Sequence, residues 1–247
     1  MKRLPTHLVA ILLFVLAPSP GCDSGEGTAE DAADTVVEDT VVEDTVVEDT
    51  TPPEPDLPTA LVRGATGRIG HIVDGDTLDV WIGNIGAKRY TIRMLGISAP
   101  ECTKIDKRTA EGEWRKACAL DDEFYGQASY EALLVLAEGK DVQITCDNPR
   151  SDGSCPTDDF GRSLAFLLVD GKDLATAMTE GGHALAYTIF DASKIATLCR
   201  TEYAAQDANR GMWASGSVSQ VINMMSEQTQ SWYFGSHDRD CDKALGR

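Results

Sequence analysis

No two of the seven cysteines in this chain stand in a C-x-x-C spacing, which makes a zinc-built domain a poor reading. No apolar run reaches the ~20 residues of a membrane-spanning helix; the stretch from Leu8 to Ala17 falls well short. Lysine and arginine are missing from residues 22 to 60, which hold thirteen Asp or Glu, so this one segment carries most of the chain's net charge of −18. Residues 61 to 247 keep a net charge of −7. Long-range attraction to nucleic acid is therefore weak, and such a partner would have to be drawn by a local field. The acidic repeats lack the glycines and ligand spacing of calcium loops, and the tail segment His237 to Asp242 lacks the central glycine of an EF-hand. That tail reads as a surface segment held by Cys241.

What is present at the N-terminus reads as an export signal: Met1-Lys2-Arg3 is basic, and Leu8 to Ala17 has the length of a signal-peptide core. Ser19-Pro20-Gly21-Cys22 resembles a bacterial lipoprotein processing site, with Ser19 where such sites usually carry Leu. The expectation is a signal peptide at 1–21 and a lipidated Cys22 that holds the protein on a membrane, periplasmic or surface-facing. The competing expectation is an ordinary cleaved signal and secretion. Residues 22–60 repeat Thr-Val-Val-Glu-Asp three times from Thr35 to Asp49 and then turn proline-rich, with no helical stripe to bury. They read as a disordered, self-repelling spacer.

From Leu61 the pattern becomes that of a folded domain. Gly67–Val73, Thr77–Ile82 and Arg89–Ile97 read as consecutive antiparallel strands, Asp121–Glu138 as a helix, and Asp141–Cys146 and Arg162–Val169 as two more strands. Leu174–Glu180 reads as a short helix, His183–Phe190 as an extended segment and Ala192–Met212 as a longer helix. That order predicts an α+β fold with a mainly β core, a five-stranded OB-fold barrel with three packed helices over 61–215, followed by a tail at 216–247. Apart from Cys22, six cysteines remain in an oxidising compartment. Fifteen pairings are formally open; proximity favours Cys102 with Cys118 across a loop insertion and Cys146 with Cys155, leaving Cys199 for Cys241.

Three short stretches carry the chemistry: Val73-Asp74-Gly75-Asp76-Thr77, Arg93 to Glu101, and Asp158-Asp159-Phe160-Gly161-Arg162. A phosphodiester under attack by water gathers charge on its nonbridging oxygens, needs an oriented water and must release an alkoxide. Carboxylates that hold a hard cation and arginine forks answer those needs. Taken singly, each stretch has an ordinary explanation: a turn, a cross-strand partner, a loop acid, a surface cation. Taken together with Tyr125-Gly126-Gln127-Ala128, Asp170-Gly171-Lys172 and Gly211-Met212-Trp213, in this order, they resemble the staphylococcal nuclease (thermonuclease) family.

The resemblance implies a Ca²⁺-dependent phosphodiesterase acting on DNA, with RNA as a second candidate, as a monomer. It implies Asp76 as a Ca²⁺ ligand, with Ser98 and the carbonyl of Ala99 in the same shell. Arg93 and Arg162 would grip the phosphate, Glu101 would be the general base, and Phe160 and Tyr187 would contact the substrate. Ser98 departs from the family pattern, which has an aspartate there, so a weaker metal site is expected. The alternative is a catalytically weakened module that binds nucleic acid or protein. Lys88, Arg89, Lys104, Lys107 and Arg108 could form a basic rim or be scattered solubility charges; His183 reads as a structural residue.

Overall fold

The computed structural model describes residues 60–83, 87–108, 114–118 and 123–247, so the export signal, Cys22 and the acidic repeats lie outside the described residues. Alternating apolar side chains make β1 (Thr66–Ile72), β2 (Thr77–Ile82) and β3 (Lys88–Met94) an antiparallel meander, with Ile69, Leu78, Val80, Ile92 and Met94 turned into the core. A short strand β4 (Ile97–Ser98) follows, then a hairpin of β5 (Lys104–Arg108) and β6 (Trp114–Cys118). This hairpin is the loop insertion anticipated between Cys102 and Cys118, which are disulfide-bonded. Helix α1 (Gly126–Ala137) leads into β7 (Asp141–Thr145), and β8 (Ser163–Val169) completes the sheet.

Closure comes from β8. It pairs antiparallel with β7 and parallel with β3, giving a closed five-stranded barrel in the order β3-β2-β1-β7-β8. The expected OB-type α+β architecture is present. Strand β9 (Lys172–Asp173) hairpins off β8, and Asp173 caps α2 (Leu174–Glu180) by accepting from the Thr176 N–H at 2.8 Å. Strand β10 (Leu185–Ala186) pairs with β4, and α3 (Ile195–Asp207) packs behind it.

The strand expected over 89–97 instead ends at Met94, because the chain turns at Gly96. Its φ of +75° disfavours a side chain, and a Cβ there would stand 2.6 Å from Leu198 of α3. The helix expected from Asp121 begins at Gly126, preceded by Tyr125 in a left-handed conformation. The long helix expected over 192–212 is α3 followed by a separate 3₁₀ turn, Gly211–Ser215.

The tail departs most from expectation. It folds into α4 (Val218–Ile222), α5 (Glu227–Trp232) and α6 (Asp238–Leu245), with a π-helical turn, Tyr233–His237, between the last two. Val221, Ile222, Trp232 and Tyr233 form a second apolar cluster with Met212 and Trp213, and the Cys199–Cys241 disulfide fastens α6 to α3. Far from being a surface segment, His237 is fully buried against Glu202 of α3. The Glu202 carboxylate accepts from the Ala186 N–H at 2.6 Å, His237 Nε2 at 3.0 Å, Gln206 Nε2 at 2.9 Å and the Tyr233 hydroxyl at 3.0 Å. His237 Nδ1 faces Asp238 at 3.1 Å, so both ring nitrogens meet carboxylate oxygens, the pattern of a protonated imidazole. Burial works against that charge, but Glu202 prevails and holds the His237 pKa above its usual value.

Candidate active site

Asp76 reaches its place through a turn built by its neighbour. The Asp74 carboxylate accepts from the N–H groups of Asp76 at 3.0 Å and Thr77 at 2.7 Å, and the Val73 and Asp74 N–H groups both donate to the Thr77 carbonyl. Gly75 is required by contact: a Cβ there would overlap the Ser129 hydroxyl of α1 and stand 2.6 Å from the Ala99 methyl. Packed in this way, Asp76 is 4% exposed. One of its oxygens accepts from the Thr77 hydroxyl at 3.0 Å and the other from the Ala99 N–H at 2.8 Å.

Strand register supplies the two arginines. Arg93 lies opposite Thr77 on β2 and Leu164 on β8, and Ser163, the residue after Arg162, pairs with Ile92. The parallel β3–β8 pairing therefore brings both guanidinium groups to one barrel end. Arg93 Nη1, buried, is ion-paired with Asp76 Oδ2 at 2.6 Å, in a geometry that is not an aligned hydrogen bond. Arg162 is held differently. Its Nε donates to Asp158 Oδ2 at 2.7 Å and its backbone N–H to Oδ1 at 2.9 Å, across a turn in which Gly161 has φ +76°. Burial raises the Asp158 pKa, but the hydrogen bonds and charge of Arg162 outweigh it and hold the carboxyl below the usual range. Arg162 Nη1 also reaches the Thr77 hydroxyl at 3.5 Å, linking the two halves of the cluster through one side chain.

Glu101 stands at the rim, just after the buried segment Ala99-Pro100. Its backbone N–H donates to Glu123 Oε2 at 2.8 Å, while Glu123 Oε1 accepts from the Ser226 N–H at 2.7 Å. Glu123 thus ties the Glu101 loop to the start of α5. Gly126 lies so close to the Glu101 carbonyl that a Cβ would come within 3.0 Å of its carbon. Partial burial of the Glu101 carboxyl and the charge of Asp74 raise its pKa, with Arg93 and Arg162 pulling the other way.

A groove of about 910 Å³ opens over this cluster. Arg93, Ser98, Ala99, Glu101, Phe160, Arg162 and Tyr187, all singled out in the sequence, line it, with Asp76 beneath at Arg93 and Ala99. Two anticipated rim residues do not join. Lys88 and Arg89 begin β3, at the end remote from Arg93, and Arg89 instead faces Asp79 at 3.9 Å. His183 is half-buried beside the Tyr125 hydroxyl at 3.3 Å, and burial lowers its pKa. Sequence reasoning missed Asp158, Thr77 and Glu123 as supports. The Asp158-to-Arg162 spacing across a Phe-Gly turn was a usable signal; Glu123 had none, since its partners lie 22 and 103 residues away.

A cation at this site would meet a thin protein shell. Burial, above all, pushes the Asp76 pKa up to about 7; Arg93 opposes this, while the charges of Asp74 and Glu101 add to it. Among the described residues, however, no three Asp, Glu, His or Cys side chains gather closely enough to enclose an ion. Ca²⁺ takes about 6–8 oxygen ligands. An ion held there would find one carboxylate, Asp76, whose oxygens already accept from Thr77 and the Ala99 N–H, so water would have to supply most of its ligands.

The staphylococcal nuclease homologue family matches this chain over residues 91–215. A probable staphylococcal-like nuclease of Oryza sativa subsp. japonica is 31% identical over 142 residues, 58% of this chain and 30% of its own length. A staphylococcal-like nuclease of Arabidopsis thaliana is 27% identical over 131 residues, 53% of this chain and 32% of its own. An uncharacterized protein of Bacillus anthracis is 24% identical over 150 residues, 60% of each. The match to the plant proteins thus spans about a third of their length.

Proposed function

This chain belongs to the staphylococcal nuclease homologue family, and from that premise we propose that it hydrolyses phosphodiester bonds in DNA, with RNA as a second substrate and with little sequence preference. The observation that carries the reading is the convergence of Arg93 and Arg162, from strands paired in parallel, on one groove with Glu101 at its rim. Arg93, anchored by its ion pair with Asp76 and lining the groove, suits a nonbridging phosphate oxygen. Arg162, oriented by Asp158, adds a second fork that offsets the charge developing on the phosphoryl oxygens and the departing oxygen. Glu101, its pKa raised by partial burial and by Asp74, accepts a proton from the attacking water as the P–O bond to the leaving group breaks. A hard divalent cation, Ca²⁺ by family resemblance, would rest on Asp76 beside Ser98 and Ala99 and supply Lewis-acid stabilisation of the phosphoryl oxygen. The basic start, apolar run and Cys22 support export, with the lipid anchor as the working reading.

Ser98 favours a second reading, a binding module that has lost efficient catalysis. One assay separates the two. The full chain is incubated with single-stranded DNA, with Ca²⁺ or a chelator, beside Glu101→Ala and Arg162→Ala. Cation-dependent cleavage abolished by either substitution is the expected result. Binding without cleavage would favour the second reading, and cleavage indifferent to both substitutions would refute the assigned roles.

A further inference from the structure

The groove is much larger than one phosphate needs, and at 910 Å³ it lies at the upper end of the range for ligand sites, about 300–1,000 Å³. Part of its lining does not come from the barrel. Gln228, Thr229 and Trp232 of α5 supply that part, and these residues lie beyond the 91–215 span matched by the family. Trp232 is packed edge-on against Tyr187 at 4.9 Å between ring centroids and donates from Nε1 to the Thr188 hydroxyl at 3.3 Å. That packing supports Phe190, whose ring lies 5.8 Å from that of Tyr187 and is 67% exposed, open to the groove. This part of the lining is also tied down where Glu123 joins the Glu101 loop to Ser226.

An exposed aromatic ring backed by a packed aromatic pair, lining the same groove as two arginines, matches one kind of occupant. A strand of nucleic acid presents charge to Arg93 and Arg162 and, one step along, a flat base to stack. The base must be unpaired, because in a duplex its faces are covered by its neighbours. Gln228, exposed in the same groove, has both a donor and an acceptor for a base edge. We propose that Phe190 and Gln228, held in place by Trp232, form a subsite for a base of single-stranded nucleic acid beside the phosphate grip, a subsite built by the C-terminal helices. The proposal rests on reading the groove as a phosphodiester site.

The test measures binding by fluorescence anisotropy, using the full chain with Glu101→Gln so that probes stay intact. The probes are a short single-stranded oligodeoxynucleotide, an abasic oligomer of the same length, and the duplex. Phe190→Ala combined with Gln228→Ala should weaken the single strand about tenfold, the scale of one stacked base, while leaving the abasic oligomer unchanged; Arg162→Ala should weaken both. If the double variant binds the single strand as tightly as its parent while Arg162→Ala still weakens both, the subsite is refuted and the phosphodiester reading stands. Equal affinity for duplex and single strand also refutes it. If no probe binds, or Arg162→Ala changes nothing, the phosphodiester reading falls and the subsite with it.

Discussion

Replacing Glu202 by Gln preserves shape while removing the one charge on which the C-terminal helices converge. The carboxylate is fully buried and accepts four hydrogen bonds, from the Ala186 N–H, His237, Gln206 and Tyr233. An amide can accept on one side only, so at least one buried donor loses its partner, and His237 loses its buried counter-charge and keeps only the exposed Asp238. Removing one member of a buried pair costs about 3–5 kcal/mol. At about 2–4 °C per kcal/mol for a domain of this size, the midpoint of thermal unfolding should fall by roughly 6–20 °C. The pH dependence has a definite sign. The folded-state pKa of His237 is raised above its ordinary 6.5, so its contribution is complete below that value and fades as pH rises through the folded pKa. Unfolding followed by circular dichroism at about pH 6 and about pH 9 should therefore show a pH-dependent component in the parent that is smaller in Glu202→Gln, where only Asp238 still faces the ring. A variant as stable as its parent at the lower pH would refute the assignment of a charged, load-sharing His237.

Two further substitutions probe the phosphate and cation ends of the site. Asp158→Ala frees the Arg162 Nε; a hydrogen bond to a charged group contributes about 1.5–3 kcal/mol, so substrate affinity and turnover should drop at least about tenfold, and thermal stability should fall as well, because the same carboxylate accepts from the Phe160 and Arg162 N–H groups of its turn. Unaltered cleavage kinetics would mean that Arg162 is positioned without Asp158. Ser98→Asp adds a carboxylate beside Asp76 and Ala99, and Ca²⁺ affinity by calorimetry should tighten by roughly ten- to a hundredfold. An unchanged affinity would show that residue 98 does not face the ion.

The barrel was legible because its signals are local and redundant. Period-two alternation in β1, β2 and β3, turn residues between them, and the 3.6-residue stripe of α1 each report burial of one face, and a face once buried fixes register. The disulfides of Cys102 and Cys146 followed from short separations along the chain, 16 and 9 residues. Boundaries were less legible where a remote contact sets them: the end of β3 depends on Leu198 packing at Gly96, and the start of α1 on the Glu101 carbonyl at Gly126. The tail was opaque for a related reason. His237-Asp238-Arg239-Asp240-Cys241-Asp242 is polar by composition, and only a carboxylate 35 residues earlier makes burial of His237 favourable.

By itself the sequence determined the kinds of groups available: two arginines, a turn aspartate, and a glutamate and a serine close together in the chain. It also fixed their placement at strand ends, since alternation and turns are properties of neighbouring residues. Tertiary structure alone decided which groups share a groove. Parallel closure of β8 on β3 sets Arg162 beside Arg93, Glu123 carries the Glu101 loop to α5, and the helices after residue 215 add to the groove's lining. Each depends on contacts between residues far apart in the chain, whose energy comes from burial and from satisfying buried polar groups once the fold has formed, and local patterns do not encode such terms.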